Sequence, residues 1–381
     1  MSERAHPARA EIVVDLDAVA HNVSTLRDLV APAALMAVVK ADGYGHGMSA
    51  VARTARAAGA TWLGVATPEE ALALRAAGDT GRLLCWLAAP GDSYEEVLAA
   101  DVDVAAYDVA QFDEVAAAAG RAGVTARVHL KIDTGLSRGG ATAEQWPGLC
   151  AHARQVEASG AVRVVGVWSH LVASDEPGHP VTDLQAKAFD EAVALAEKAG
   201  LQLEVRHLAN SAAAIHRADL RHDLVRCGIS IYGLDPAPGV PSPVDLVPAM
   251  TVQGRLALTK SVPAGAGVSY GHAWVATEET TLGLVPVGYG EGVPRAASPG
   301  AEVWVAGRRR PVRGKVCMDQ LVVDLHGDSV AAGERYVLFG PGDAGEPTAQ
   351  DWAEAAGTIN YEIVTQLGGR LTRRYVGKDQ S

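Results

Sequence analysis

Eight short apolar or β-branched segments recur between residues 36 and 233, and this repetition restricts the fold more than any other feature of the sequence. Each segment is nearly continuous in apolar residues, which is typical of strands buried on both faces. Ala-rich segments with helical spacing separate them, and several of these end in glycine, the usual helix stop. The alternation predicts right-handed crossovers and a parallel sheet, and eight units in about 250 residues favour a closed (β/α)8 barrel. The strand-like segments are MAVVK (36–40), WLGVAT (62–67), RLLCWLA (82–88), DVDVAAY (101–107), ARVHLKID (126–133), VRVVGVWSHL (162–171), LEVRHLA (203–209) and LVRCGISIYG (224–233).

The character of the sequence changes after Pro236. DPAPGVPSPVDLVP (235–248) is a proline-rich linker, and the remainder is rich in Val, Thr and Gly. Only TAQDWAEAAG (348–357) has a helical pattern there, so we expect a mainly-β domain. ARAEIVVDL (8–16) alternates like a strand and could belong to either domain. We therefore predict an amino-terminal strand within 1–15 that could pack on the carboxy-terminal domain, a barrel over 16–240 and a mainly-β domain over 241–381.

Composition restricts the function and the compartment. With 33 basic and 45 acidic residues the formal net charge is −12, which argues against a general nucleic-acid binder. The basic run GRRRPVRGK (307–315) is interpreted as a solvated hairpin edge. The four cysteines lie far apart with no CxxC pair, so they indicate neither a zinc site nor a disulfide framework. No segment resembles a signal peptide or a membrane span, and we expect a cytoplasmic protein.

Polar residues follow the predicted strands at the points where a barrel carries its chemistry. Taken singly, each has an ordinary alternative: a solvated loop residue, a helix cap such as Asn210 or Ser211, or half of an ion pair such as Arg226. Together they would share one cavity that combines a lysine, other cations and helix amino termini. A lysine can form a Schiff base and helix amino termini bind phosphate, so the set suits a phosphorylated aldehyde cofactor. The residues are Lys40, Tyr44, Lys131, Arg138, His170, Asn210, Ser211, Arg226 and Tyr232.

The segment AVVKADGYGHG (37–47) closely resembles the pyridoxal-phosphate lysine motif of the alanine racemase family. Other segments resemble that family in the same order, across nearly the whole chain. Any single segment is weak, but the ordered set is highly specific. The segments are HLKIDTGLSRGG (129–140), SHLVASDEP (170–177), ANSAA (209–213), RCGISIYG (226–233), GVSYG (267–271), PVGYGEGVPR (286–295), GKVCMDQ (314–320) and INYEIV (359–364).

The resemblance implies a fold-type III pyridoxal-phosphate enzyme with a (β/α)8 barrel and a carboxy-terminal β domain. It implies interconversion of L- and D-alanine, with D-alanine supplied for peptidoglycan. It also implies a head-to-tail homodimer in which both chains build each active site, with no metal.

The resemblance also assigns roles to individual residues. Lys40 would hold the cofactor as an aldimine, and Tyr270 of the partner chain would be the second base. Arg226 would face the pyridine nitrogen, His170 would link Arg226 to Tyr270, and Arg138 would contact the phenolate oxygen. The cofactor phosphate would be held by Tyr44, Ser211, Gly228, Ile229 and Tyr361, with Asn210 also lying against the cofactor.

Further roles concern the substrate and its access route. Met318 and Asp319 of the partner would lie near the substrate carboxylate, and Lys131 matches a lysine that is often carbamylated. Lys315 is a departure, because many relatives carry arginine there and lysine lacks the planar fork. The entrance would be formed by Tyr270, Tyr289, Tyr361, Asp175, Arg295, Lys315 and Ile359.

Racemisation removes an α-proton from one face and returns one to the other, which two bases on opposite faces achieve directly. Lysine and tyrosine both have reference pKa values near 10, and nearby cations would lower the pKa of each. Racemisation of serine or of a broader set of amino acids is also compatible with the sequence.

Three other functions fit parts of the sequence. GVSYG (267–271) fits the G-x-S-x-G pattern of serine hydrolases, but no convincing helix follows it. A non-catalytic pyridoxal-phosphate carrier would be a barrel alone, whereas this chain continues for about 130 residues of β-rich sequence. A related decarboxylase is compatible with the fold, although its motifs are not matched.

Overall fold

The computed structural model describes residues 9–377. Its strands are β1 (Ala10–Asp15), β2 (Ala34–Val38), β3 (Trp62–Val65), β4 (Arg82–Cys85), β5 (Asp103–Ala106), β6 (Ala126–Lys131), β7 (Val162–Trp168), β8 (Val205–His207), β9 (Leu224–Cys227), β10 (Met250–Arg255), β11 (Leu258–Val262), β12 (Gly267–Val268), β13 (Trp274–Val275), β14 (Thr280–Val285), β15 (Glu302–Val305), β16 (Arg308–Pro311), β17 (Leu321–Asp324), β18 (Arg335–Phe339) and β19 (Thr372–Val376).

The α-helices span Leu16–Val30, Met48–Ala57, Pro68–Ala76, Tyr94–Ala99, Val109–Ala122, Trp146–Glu157, Pro180–Lys198, Ser211–His216, Ala349–Ala356 and Asn360–Gln366. Short 3-10 turns lie at Ala218–Leu220, Ile229–Tyr232, Tyr270–His272, Tyr289–Glu291 and Arg295–Ala297. None of the helices in the described part of the chain combines the length and the apolar character needed to cross a membrane.

Strands β2 to β9 form a parallel sheet in the order β8-β7-β6-β5-β4-β3-β2-β9. Two backbone hydrogen bonds cross the remaining gap between β8 and β9: Asp223 N–H donates to Arg206 O at 3.1 Å, and Arg226 N–H donates to Ala209 O at 3.0 Å. The sheet is therefore a nearly closed barrel, and the predicted (β/α)8 fold is confirmed. The barrel belongs to a compact unit made of Val19–Gly43 and Met48–Leu246.

Local sequence explains where the barrel helices begin and end. Thr67 caps the helix Pro68–Ala76 in a reciprocal capping box with Glu70. Asp108 caps Val109–Ala122, and that helix ends at Gly123, whose φ of 68° suits glycine. The observed strands are shorter than the predicted ones. MAVVK, for example, leaves the sheet after Val38, because the polar residues at the strand ends belong to the loops.

The other compact unit consists of the described residues up to Ala18, the short segment Tyr44–Gly47 and the described residues from Val247 onward. It contains a six-stranded sheet in the order β16-β15-β18-β10-β1-β19, a three-stranded sheet β11-β14-β17 and the pair β12-β13. The expected mainly-β character of the carboxy-terminal region is confirmed. Strand β1 lies in the six-stranded sheet, antiparallel to β10 and parallel to β19.

Two details of the β unit differ from expectation. The prediction of a single carboxy-terminal helix is wrong, because Asn360–Gln366 is a second one, too short at seven residues to show a helical period. The basic run does form a hairpin ending in the edge strand β16, but Arg310 is fully buried and not solvated. Its guanidinium donates to Leu325 O at 2.8 Å and to Asp328 Oδ2 at 2.6 Å, so it supports the fold.

Candidate active site

Lys40 follows β2 and begins a single turn of left-handed backbone. The φ angles are 53° at Ala41, 51° at Asp42, 63° at Gly43 and 50° at Tyr44. Outside glycine this conformation costs roughly 1–2 kcal/mol per residue. Such strain persists only where the surroundings fix it, and it concentrates at functional sites.

Glu70 supports this turn from the start of a neighbouring helix. Its Oε1 accepts a hydrogen bond from Ala41 N–H at 2.6 Å, while its Oε2 accepts from Ala66 N–H at 2.8 Å. Asp42 accepts from Met48 N–H at 2.9 Å and closes the turn on its other side. The strained backbone after Lys40 is therefore held by two carboxylates.

The amine of Lys40 lies among other cations. Burial lowers the pKa of Lys40, and Arg138 lowers it further. The Nζ atom lies 6.0 Å from the ring centroid of Trp86. A larger fraction of neutral amine is therefore available at neutral pH than for a solvated lysine, which suits a nucleophile or a general base.

Lys131 and Arg226 contact the same aromatic ring. Lys131 Nζ lies 4.6 Å from the Trp168 ring centroid and 5.2 Å from that of Tyr107, while the Arg226 guanidinium lies 5.1 Å from Trp168. Burial, Arg138 and Arg226 together lower the pKa of Lys131 to about 8. Two cations over one indole create a strongly positive region at the end of β6.

Arg226 is 5% exposed and is held by backbone oxygens. Its guanidinium donates to His207 O and Ser169 O, each at 2.8 Å, and to Leu208 O at 3.1 Å. Burial lowers the pKa of Arg226 to about 9, which leaves it charged at neutral pH. His170 Nδ1 lies 3.5 Å from Arg226 NH2, and burial with Arg226 lowers the pKa of His170 well below its usual value.

A pair of small-residue turns lies at the ends of β8 and β9. Ser211 Oγ accepts a hydrogen bond from Gly228 N–H at 2.9 Å, and a hydroxyl that accepts can still donate to a further group. Ile229 is fully buried at the start of the following 3-10 turn. Asn210 caps the short helix after β8 and donates to Ser174 Oγ at 2.7 Å, so it has the capping role that the sequence leaves open.

Among the remaining predicted residues of the barrel unit, Tyr232 is fully buried and its hydroxyl donates to Val38 O at 3.1 Å, whereas the other two lie at the surface. Arg138 and Asp175 are exposed loop residues. Arg138 nevertheless lowers the pKa values of Lys40, Lys131 and His170. One electrostatic cluster therefore includes Lys40, Lys131, Arg138, His170 and Arg226.

In the β unit, large apolar or aromatic side chains are exposed on neighbouring loops. Tyr270 is 65% exposed, Met318 54% and Ile359 60%. The loops that carry Tyr270, Tyr289 and Met318 are tied together by Ser269 Oγ donating to Lys315 O at 2.7 Å, Tyr289 N–H to Cys317 O at 3.0 Å and Gly290 N–H to Met318 O at 2.8 Å. Exposed apolar side chains on loops that are joined in this way are compatible with a surface that binds a partner.

The other predicted residues of the β unit have separate surroundings. The rings of Tyr44 and Tyr361 lie 6.3 Å apart at 51°. Asp319 forms an ion pair with Arg370 at 2.7 Å. Arg295 and Lys315 have exposed side chains.

GVSYG does not form a nucleophile elbow. Ser269 follows the two-residue strand β12 and precedes a 3-10 turn and the strand β13, with no α-helix after it. The motif requires a strand before and a helix after the serine, so the serine hydrolase alternative is excluded on this ground.

Sequence reasoning missed three groups that shape the site: Trp168, Glu70 and His207. Trp168 directly precedes the Ser-His pair of the sixth predicted strand, which is a signal that could have been used. Glu70 is recognisable only as the N3 residue of a capping box, and its second role on Ala41 depends on tertiary structure.

The fold and the cluster define a class of protein: a barrel whose strand ends carry a lysine of lowered pKa among further cations. The family model for the alanine racemase N-terminal domain matches residues 14–236, and that for the alanine racemase C-terminal domain matches residues 249–375.

Known proteins agree with this assignment. The chain is 56% identical to an alanine racemase of Frankia casuarinae over 370 residues, which is 97% of this chain and 96% of that protein. It is 55% identical to an alanine racemase of Salinispora arenicola, over 97% of this chain and 99% of that protein. The solved structure of alanine racemase from Streptomyces coelicolor superposes with a TM-score of 0.95 at 53% identity, covering 97% of this chain and 98% of that one.

The chain therefore belongs to the alanine racemase family. Its activity is that of an isomerase that racemises alanine.

Proposed function

We propose that this chain interconverts L- and D-alanine by a two-base mechanism, with pyridoxal 5′-phosphate as its cofactor. The observation that carries the proposal is the lysine of lowered pKa that begins a strained turn within a cluster of cations. Family membership supports the reaction, and the local chemistry supports the cofactor.

The groups present fit such a cofactor, which is an aldehyde with an anionic phosphate and a phenolate. Lys40 supplies an amine, and Ser211 with the backbone at Gly228 and Ile229 supplies small-residue turns suited to phosphate. Tyr44 and Tyr361 would complete the phosphate site with their phenols. Asn210, through its hydrogen bonds to Ser174 and the helix start, would keep Ser211 in place. When bound, the cofactor captures the substrate amino group and makes the α-proton acidic.

Lys40 and Tyr270 act as the two bases in this proposal. At neutral pH a larger fraction of Lys40 is uncharged than of a solvated lysine, because burial and Arg138 disfavour its charged form. Tyr270 would serve the opposite face of the active site of the partner chain, and its 65% exposure supports a role outside its own chain. Each base removes or returns the α-proton on its own side.

Arg226 would face the pyridine nitrogen as a donor that keeps its own proton. Arg226 would donate this hydrogen bond without transferring its proton, so it would not increase electron withdrawal at the α-carbon. This favours prompt return of a proton to the α-carbon over side reactions. His170, neutral beside Arg226, would accept from the guanidinium through Nδ1 and use Nε2–H to position Tyr270 of the partner subunit.

Arg138 would contact the phenolate oxygen of the cofactor, with Lys131 as its positioning neighbour. The pKa of Lys131, about 8, leaves roughly one amine in ten uncharged at pH 7, and only the uncharged amine reacts with carbon dioxide. A carbamate would convert Lys131 from a cation to an anion and an acceptor for Arg138.

The active enzyme would be a head-to-tail homodimer, since the exposed apolar side chains on the β unit need a partner surface. Met318 and Asp319 of the partner would lie near the substrate carboxylate. The entrance would be lined by Tyr270, Tyr289, Tyr361, Asp175, Arg295, Lys315 and Ile359. Lys315 lacks the planar fork of an arginine, so the electrostatic pattern at this entrance would be loose.

Known ligands of relatives support a small amino-acid substrate. The solved structure of alanine racemase from Bacillus anthracis, 31% identical to this chain, contains bound L-Ala-P. The alanine racemase of Clostridium difficile 630, 28% identical, has been solved in complex with cycloserine. The D-alanine produced here would supply cell-wall peptidoglycan, from the cytoplasm.

Borohydride trapping with an activity assay tests this proposal. The purified protein loaded with pyridoxal phosphate is reduced with borohydride and digested, and the peptide that carries the cofactor mass is sequenced. The proposal predicts cofactor on Lys40 and formation of D-alanine from L-alanine by the unreduced protein. Cofactor attached to another lysine, or cofactor on Lys40 without racemisation, would contradict it, and the second result would favour the carrier function.

A further inference from the structure

Four buried polar side chains form a continuous line through the barrel interior, leading from Arg226 to the amino-terminal end of β5. Arg226 NH1 lies 3.2 Å from His207 Nδ1, and His207 Nε2 lies 2.9 Å from His129 Nδ1. His129 Nε2 lies 3.2 Å from Asp103 Oδ2. Both imidazoles are fully buried and Asp103 is 1% exposed.

The chemistry of its two ends fixes the direction of every hydrogen bond in this line. Arginine can only donate and an ionised carboxylate can only accept. Arg226 must therefore donate to His207 Nδ1, which leaves His207 Nε2–H to donate to His129 Nδ1. His129 Nε2–H then donates to Asp103. Both histidines are neutral, each protonated on Nε2, and burial beside Arg226 lowers the pKa of His207 well below its usual value.

The barrel makes room for this line at a cost. Gly166 lies in the middle of β7, where glycine is destabilising, and a Cβ there would lie 2.4 Å from His129 Nδ1. Trp168 stacks on His207 with a ring-centroid distance of 5.6 Å at 3°, and Trp62 packs edge-on against His129 at 5.6 Å. The two indoles keep water from competing for the hydrogen bonds.

The carboxylate end is anchored by an ion-pair network. Arg127 Nε donates to both oxygens of Asp103, at 3.0 and 3.2 Å, while its other nitrogens bind Glu204 at 3.0 and 2.6 Å. Arg82 NH1 lies 3.7 Å from Asp103 Oδ1. These contacts hold Asp103 in a single orientation with Oδ2 facing His129.

The line matters for Arg226 because none of the groups to which its guanidinium is hydrogen-bonded in the described structure carries a negative charge. They are three backbone oxygens and two imidazoles. A buried guanidinium without a compensating charge is costly. Asp103 is the carboxylate to which it is connected, through two polarisable rings.

We propose that Asp103 and His129 are positioning residues that act on Arg226 through His207, by fixing the imidazole tautomers so that Arg226 always meets an acceptor. Arg226 is thereby oriented as a charged donor toward the centre of the site. The consequence for the reaction rests on the proposed function of Arg226, but the tautomers themselves do not.

The first test reads the tautomers directly by nitrogen NMR of protein labelled with ¹⁵N-histidine, with cofactor bound and after its removal. Signals are assigned with the single variants His129→Gln and His207→Gln. The proposal predicts a proton on Nε2 and none on Nδ1 for both residues at pH 7. A proton on Nδ1 of either ring overturns it. This result is independent of whether pyridoxal phosphate is the cofactor.

The second test uses Asp103→Asn. The arginines will hold the amide oxygen, so the amide N–H₂ will face His129 Nε2 and donate to it. Both histidines should then switch to the Nδ1–H form, and His207 will oppose Arg226 with a donor. In the loaded enzyme we expect kcat to fall about tenfold or more, the scale typical of supporting hydrogen-bond partners, with KM within about twofold. The fraction of turnovers that end in transamination should rise.

Glu204→Gln is the matched control, because it removes the other carboxylate of Arg127 without touching the histidines. It should leave the tautomers, kcat and the transamination fraction unchanged. Unaltered tautomers in Asp103→Asn, or equal effects in Glu204→Gln, overturn the proposal. If the tautomers switch in Asp103→Asn but kcat and the transamination fraction do not change, the proposed effect of Asp103 on Arg226 is wrong.

Discussion

His170 Nδ1 lies 3.5 Å from the NH2 nitrogen of Arg226, and the guanidinium helps to keep the imidazole neutral. Burial and the nearby guanidinium lower the pKa of His170 well below its usual value, so the imidazole is neutral and Nδ1 accepts. Its Nε2–H is then directed elsewhere, which suits a role in positioning a second base. Arg226 remains charged because its pKa, lowered to about 9, still lies above neutral pH.

The Arg226 side chain should determine the ratio of racemisation to transamination. Arg226→Glu would give the pyridine nitrogen an acidic partner that keeps it protonated, and side reactions should increase at least about tenfold relative to racemisation. Arg226→Lys is the control, since lysine also only donates and should preserve the ratio. The ratio is measured as the amount of pyruvate formed per D-alanine formed. An unchanged ratio in Arg226→Glu would refute the proposal that Arg226 limits transamination.

Glu70 should stabilise the strained turn after Lys40. In Glu70→Gln only one oxygen remains to accept from the backbone N–H groups of Ala41 and Ala66, so the free energy of unfolding should fall by about 1.5–3 kcal/mol. The cofactor should also dissociate faster, because Lys40 is less firmly placed. Urea unfolding and cofactor dissociation are the measurements. The neighbouring Glu69→Gln, at an exposed site, should change neither quantity, and equal effects from both variants would contradict this account.

Lys131 should lower the stability of the protein below pH 8. Its folded pKa of about 8 lies below the unfolded value of 10.5, so the folded state carries the whole cost of the buried charge below pH 8. Between pH 8 and 10.5 the folded amine is neutral while the unfolded one still binds a proton, and stability rises. Above 10.5 both are neutral and no cost remains.

Replacing Lys131 by methionine therefore should stabilise the protein at pH 7 and have little effect near pH 10.5. Urea unfolding in buffers free of carbon dioxide measures the difference between the two proteins at each pH. A stabilisation that is equal at pH 7 and near pH 10.5 would show that the charge of Lys131 is not its cause.

Tyr270→Phe should abolish most activity without affecting the fold. The side chain is 65% exposed, so unfolding should change by no more than ~0.5 kcal/mol. Loss of a general acid–base group typically costs about 10²–10⁴-fold in rate, and we expect a kcat decrease in that range. Steady-state racemisation and thermal unfolding are the measurements.

Tyr336→Phe is the control for removing a tyrosine hydroxyl. The Tyr336 hydroxyl is buried and has no hydrogen-bond partner among the described residues, so its removal should keep activity and raise stability by up to about 1 kcal/mol. Loss of activity in both variants would mean that Tyr270 has no specific role.

Much of the barrel could be predicted from the sequence, because its parallel strands are continuous apolar runs between Ala-rich helices. The positions of the strand ends are harder to predict, since a residue such as Lys40 resembles the last residue of a strand but begins a left-handed turn. The Asn360–Gln366 helix was missed because seven residues do not establish a period.

The cluster around Arg226 shows the limit of sequence reasoning about the site. Arg226 and His170 are recognisable as polar residues at strand ends. His129 and His207 lie inside strands, where a histidine is usually interpreted as an ordinary core residue. Their connection to Asp103 depends on the neighbours that barrel closure gives each strand, and no spacing along the chain encodes it.

The most direct test of the two-base account follows α-proton exchange of each alanine enantiomer in deuterated water, for the unsubstituted protein, Lys40→Ala and Tyr270→Phe, with cofactor confirmed bound. Proton NMR measures loss of the α-proton, and a chiral assay measures inversion. The account predicts exchange with inversion in the unsubstituted protein. Each variant should lose α-proton exchange with one alanine enantiomer, and the enantiomer that is affected should differ between the two variants. Loss of exchange from the same enantiomer in both variants, or exchange without inversion in the unsubstituted protein, would contradict it.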